Sequence, residues 1–182
     1  MSSRAGFFVM LWAAGLLLGC RSPSIQDIQI EPALPPAGEM IEDALLLHQR
    51  NHRHSAEALY RAAIERDPLN ARAVNNLAFL LAESGDRLNE SLELARRACT
   101  IEPENPAYLD TLGMVLIKSG RPAEAAKPLE RAYARSDALP AAEQRIIVSR
   151  LVSVYQSTGQ EHLARQVMEA HRQRDPKAEF HE

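Results

Sequence analysis

The chain has 182 residues, with 21 lysines and arginines against 24 aspartates and glutamates, a net charge of −3 with histidine neutral. That length is one domain's worth once a leader is set aside, and no basic stripe with interleaved aromatics exists, which excludes a nucleic-acid partner. Two cysteines, Cys20 and Cys99, are too few for a disulfide scaffold.

The first element is the run AGFFVMLWAAGLLLG at Ala5–Gly19, preceded by a single basic residue, Arg4. It falls about five residues short of what a helix needs to cross a bilayer. A basic start, an apolar middle and a small residue at the end make a secretory signal peptide, so residues 1–19 are set apart from the fold. The run stops on Cys20, and Leu17-Leu18-Gly19-Cys20 resembles the lipobox of bacterial lipoproteins. The resemblance implies that Cys20 is lipidated and becomes the first residue of the mature protein. An ordinary signal peptide or a retained anchor is the other reading. Arg21 follows the cysteine where an aspartate would favour the inner membrane, so the family's sorting pattern implies the outer membrane, facing the periplasm. Residues 20–36, with Pro23, Pro32, Pro35 and Pro36 and no helical period, read as an extended tether.

From residue 37 the pattern is helical and repeats at about 34 residues. AEALYRAAIERDPLN at Ala56–Asn70, ESLELARRACTIEPEN at Glu90–Asn105, AEAAKPLERAYARSD at Ala123–Asp137 and EHLARQVMEAHRQRDP at Glu161–Pro176 are matching stretches. Pro68, Pro103 and Pro176 end three of them, because proline cannot continue a helix. The helices between end on Gly85, Gly120 and Gly159, the usual helix-stop signal. RLNES at Arg87–Ser91 carries one residue too many, and DALPAAEQ at Asp137–Gln144 inserts several between the last two repeats.

This resembles the tetratricopeptide repeat. Its small-residue positions fall on Ala44, Ala56, Ala63, Ala78, Ala98, Gly113, Ala125, Ala132 and Ala164, and its large ones on Leu77, Leu81, Leu112, Leu116, Leu151 and Tyr155. His171 replaces the usual second alanine of the last repeat and reads as a polar closing edge. The resemblance implies an all-α fold, a right-handed superhelical stack of about four helix-turn-helix pairs. The repeats span approximately 37–70, 71–105, 106–139 and 145–178 within a domain of 37–178, followed by a 179–182 tail. Stacking is needed because one pair cannot bury its apolar face alone.

The family's concave groove, lined by the first helix of each pair, carries over to Asn75, Asn76, Phe79, Asp110, Met114 and Ile117. Flanking positions are Ile41, Leu45 and His48 in the first repeat, Arg72 and Ala82 in the second, and Ser149, Ser153 and Gln156 in the fourth. Asparagine both donates and accepts, which suits a peptide main chain; Phe79 and Met114 belong either to the groove or to the core. Asn76 matches one asparagine of the subtype that grips a C-terminal carboxylate. That subtype's basic positions fall on Ile41, Ala107 and Thr111, so a chaperone-tail-binding role is disfavoured.

No catalytic constellation is legible. His48 and His52 are four apart, but Asn51 occupies a turn position between them, so a metal site is not expected. Cys99 reads as a buried, inert thiol, and no Gly-rich phosphate loop exists. The sequence therefore implies no enzyme, metal or cofactor, and a protein or peptide partner in the groove. The expected role is a lipid-anchored scaffold for a multi-protein envelope machine such as a pilus, secretion or polysaccharide-export system. The alternative is an adaptor recruiting an envelope enzyme such as a peptidoglycan hydrolase. The anchor has a direct check: labelled palmitate is expected in the protein, Cys20→Ala removes it, and label persisting in the variant contradicts the assignment.

Overall fold

The computed structural model describes residues 35–174; the leader, Cys20, most of the tether and Pro176 lie outside the described residues. Eight α-helices follow one another: α1 (Ala37–Gln49), α2 (Arg53–Arg66), α3 (Ala71–Ser84), α4 (Leu88–Ile101), α5 (Pro106–Lys118), α6 (Pro122–Ala134), α7 (Ala141–Ser157) and α8 (Glu161–Arg174). No strand occurs among the described residues. Successive helices pack antiparallel in pairs, and pairs stack on pairs, giving a tetratricopeptide-type helical stack.

Within a pair the turn rests on one left-handed residue. Gly120 and Gly159 hold it at φ 72° and 74°, and Asn51 takes the same role between α1 and α2 at φ 63°. Asparagine is among the few side-chain-bearing residues that tolerate this region. Asn51 therefore ends α1 before His52, and the two histidines do not share a helical face. In the second pair the left-handed Gly85 follows α3 at once, leaving one more residue between it and α4. That is where the additional residue of RLNES is taken up.

Between pairs a different turn recurs. Asp67-Pro68-Leu69-Asn70 and Glu102-Pro103-Glu104-Asn105 have the same order of acid, proline and asparagine. Asn70 Oδ1 caps α3 by accepting from the Ala73 amide at 3.1 Å, and Asn105 Oδ1 caps α5 from the Ala107 amide at 3.1 Å. Each asparagine amide also donates back to its acid, Asp67 at 3.2 Å and Glu102 at 2.9 Å. The turn's proline carbonyl is then taken by an arginine of the next second helix: Arg97 reaches the Pro68 oxygen, and Arg131 the Pro103 oxygen at 2.8 Å.

The junction after α6 lacks this motif. A short 3-10 turn, Ser136–Ala138, replaces it, and Gln144 Nε2 donates to the Leu139 carbonyl at 2.8 Å. The DALPAAEQ insertion is only partly a loop: α7 starts at Ala141, ahead of residue 145, and runs 17 residues where α5 has 13.

Small residues set how near the helices come. Ala44, Ala56, Ala78, Ala125 and Ala164 are all buried, and Ser91 donates to the Ala78 carbonyl at 2.7 Å across the second pair. A Cβ on Gly113 would stand 2.5 Å from Leu129 Cγ. His171 is not an exposed closing edge. It is 1% exposed and meets the Tyr133 ring edge-on at a 6.3 Å centroid distance, and the Arg174 guanidinium lies over the same tyrosine ring at 4.6 Å. On the second-helix side, Glu57 accepts from Arg87 at 2.6 Å and from Arg61 at 3.0 Å. The Arg87 guanidinium above all holds its carboxyl down at about 2.

Gly113→Val is expected to destabilise the stack by about 2 kcal/mol, since the branched side chain overlaps a fully buried Leu129. Thermal melting followed by circular dichroism checks this; an unchanged melting temperature would place the helices farther apart than described.

Candidate functional site

The first helices of the last three pairs lie close to one another. α3 packs on α5 and α5 on α7, whereas α4 with α6 and α6 with α8 do not approach as closely. A stack tighter on one side is concave there, so α1, α3, α5 and α7 present the inner face. Contacts cross it between consecutive first helices: Arg72 pairs with Glu42 at 2.6 Å, Arg150 pairs with Asp110, and His48 Nε2 lies 2.7 Å from Glu83.

The expected groove residues divide. Asn75, Asn76, Phe79, Asp110 and Ile117 lie on α3 and α5, and Phe79 is half-buried with its ring 6.0 Å from the His48 ring. Met114 is 7% exposed and packs with Ala78, Val115 and Leu129 in the core. Ile41 and Ala82 are likewise fully buried. The physical reason is spacing: each faces a neighbouring pair rather than the open side. Asn76 is turned toward the buried Tyr60 hydroxyl, whose titration burial pushes up to about 12. Leu45 and His48 are half-buried, while Arg72, Ser149, Ser153 and Gln156 are exposed.

One feature escaped sequence reasoning. Where α3, α5 and α7 meet, a cavity of about 140 Å³ opens onto the inner face. Asn75, Asp110 and Thr111 line its polar side; Leu139, Ile146 and Ile147 line its apolar side. It lies beside the junction that lacks the clamped turn. Ile146 at its edge is 47% exposed, one of few large apolar residues left open.

The polar side is chemically unfinished. Asn75 is 7% exposed, and its Oδ1 has no hydrogen-bond partner. Asp110 gives Oδ2 to Arg150, while its Oδ1 is buried without one. Loss of solvent pushes the Asp110 carboxyl above its ordinary value, with Arg150 opposing. A buried acceptor without a donor costs about 1–3 kcal/mol, so both oxygens are a local cost to the fold. Elsewhere, Cys99 is half-buried and its thiol is pushed up to about 11 by burial, away from thiolate chemistry. No cluster of three His, Cys, Asp or Glu able to hold a metal occurs among the described residues. None of the described helices is long and apolar enough to cross a membrane.

Comparison with known proteins agrees with this geometry. Residues 59–93 match the family model described as tetratricopeptide repeat. The chain is 35% identical over 92 residues to TPR repeat-containing protein PA4667 of Pseudomonas aeruginosa, covering 50% of this chain but only 16% of that relative. Among solved structures it is similar to pilF of Pseudomonas aeruginosa (TM-score 0.67, 22% identity, 78% of this chain and 62% of that one). It is also similar to YrrB, described as a TPR protein with an unusual peptide-binding site (0.63, 24%, 77% and 69%). A third similar fold is the Yersinia enterocolitica type III secretion translocator chaperone SycD (0.60, 15%, 67% and 93%). The fold is thus a stack of tetratricopeptide repeats. The chain carries such repeats and is similar in sequence to PA4667.

Arg150→Ala strands Asp110 as a buried charge and is expected to lower stability by about 2 kcal/mol at pH 7. Because the Asp110 pKa is raised in the folded state, the loss is present above that pKa and shrinks as pH falls through it. Urea unfolding of both proteins at pH 7 and pH 3 checks this; a loss independent of pH would contradict it.

Proposed function

We propose that the protein is a lipid-anchored scaffold of the bacterial envelope, held through Cys20 at the periplasmic side of the outer membrane. Its inner face grips a component of a multi-protein machine such as a pilus, secretion or export system. The observation that carries the reading is the cavity on the concave side, lined by Asn75, Asp110 and Thr111 with the exposed Ile146 at its edge. Such a surface suits an extended segment that supplies an apolar side chain and hydrogen-bond donors. Support for the machine comes from fold likeness to the secretion chaperone and to pilF, which is analogy at the level of fold. Support for the anchor comes from the motif at Leu17–Cys20.

A photo-crosslinking residue placed at Ile146 in living cells is expected to join the protein to an envelope-assembly component, identified by mass spectrometry. The same residue at Lys127, exposed on a second helix, is expected to give no such adduct. Equal adducts at both positions, or none at 146, would contradict the reading.

A further inference from the structure

We infer that the α1–α2 turn is a docking surface for an anionic phospholipid bilayer, engaged in acid and released at neutral pH. The inference uses other residues than the inner face and does not rest on the scaffold reading.

The stretch HQRNHRH at His48–His54 puts three of the chain's six histidines and two arginines within seven residues. The fold gathers them at one tight turn, which Asn51 closes at φ 63°. Arg50, His52, Arg53 and His54 are exposed, and His48 is half-buried. Arg53 Nε donates to Asn51 Oδ1 at 3.1 Å, which keeps its guanidinium at the turn.

The charges around this turn cancel while histidine is neutral. Arg61 and Arg87 are taken up by Glu57 and Glu90. Glu83 reaches in from α3, 2.7 Å from His48 Nε2 and 3.7 Å from Arg53. Asp86, on the neighbouring α3–α4 turn beside Arg87, offsets Arg50. The nearest acid of α1 itself, Asp43, lies two helical turns back from Arg50. Histidine is the residue type that gains its charge between pH 8 and pH 5. Protonation of His48, His52 and His54 therefore leaves a balanced edge with three positive charges. Glu57 stays ionised throughout, because Arg87 holds its carboxyl at about 2.

An acidic protein surface and an anionic bilayer would both answer that charge. Leu46 favours the bilayer. It is 45% exposed, one helical turn before Arg50, whose amide donates to its carbonyl at 3.1 Å. An apolar side chain standing free beside cations suits the headgroup boundary, where it enters the acyl edge while the cations stay with phosphate. The turn also projects from the end of a helix pair, a convex shape that meets a flat surface. Leu69 makes the contrast. It is 75% exposed on the Asp67–Asn70 turn, at the other end of the helices, where no histidine or arginine accompanies it.

The test places a photo-crosslinking residue at Leu46 of the full chain, reconstituted in vesicles of phosphatidylglycerol and phosphatidylcholine. One cation near an anionic surface strengthens binding about fivefold. Lipid adducts at pH 5.5 are therefore expected to exceed those at pH 7.5 at least tenfold, and to stay low in phosphatidylcholine alone. The same residue at Leu69 is expected to show no pH dependence. His52→Gln with His54→Gln is expected to hold the adducts near the pH 7.5 level. His52→Lys with His54→Lys, which keeps both charges, is expected to give the high level at both pH values. Equal adducts at the two pH values, equal adducts in phosphatidylcholine, or an unchanged response in the glutamine variant overturns the proposal. In isolated envelopes at pH 5.5, capture of a protein in place of phospholipid at Leu46 also overturns it. Failure here leaves the Ile146 crosslinking result, and the scaffold reading with it, untouched.

Discussion

The inter-repeat turn is the constraint on which the stack depends. An acid, a proline and an asparagine end one pair and begin the next, and an arginine from the following second helix closes over the proline carbonyl. Each part answers a need of the backbone. The proline stops the outgoing helix, the asparagine caps the incoming one, worth about 1 kcal/mol, and the arginine satisfies a carbonyl that the turn leaves over. Together they tie each turn to the second helix of the following pair, and at the second such turn α3 and α5 come close on one side. The concave face follows from that closeness, and a cavity lies at the junction built differently.

Charge on the inner face is largely spent within it. Arg72 meets Glu42, His48 meets Glu83 and Arg150 meets Asp110, each bridging consecutive first helices. The exposed pairs contribute little to stability, on the order of 0–1 kcal/mol each. If the inner face is the binding surface, as proposed, shape at the α3–α5–α7 cavity weighs more there than long-range attraction.

Much of this architecture was legible in the chain. Prolines after three of the four second helices and glycines after three first helices mark the repeats, and Asn51 marks the remaining turn, because these residue types have few other uses at those places. The cavity was not legible. It arises from an insertion that folds partly as a 3-10 turn and partly as an early start to α7, and no glycine or proline separates those outcomes. Burial was misread where one helical step decides it. Ile41 and Ala82, taken as groove positions, turn inward, and Met114, left open between groove and core, packs in the core. His171 shows the same limit: a histidine in an alanine's place reads as an edge, yet packing against Tyr133 buries it.

If the clamped turn governs the stack, the junction lacking it should yield first. Native-state hydrogen exchange read by mass spectrometry measures this directly. The amides from Ser136 to the first turn of α7 are expected to exchange at least tenfold faster than those of the Asp67–Asn70 and Glu102–Asn105 turns and the helices they join. Equal protection at all three junctions would contradict the account, because the acid-proline-x-asparagine turn would then not be what fixes one repeat against the next.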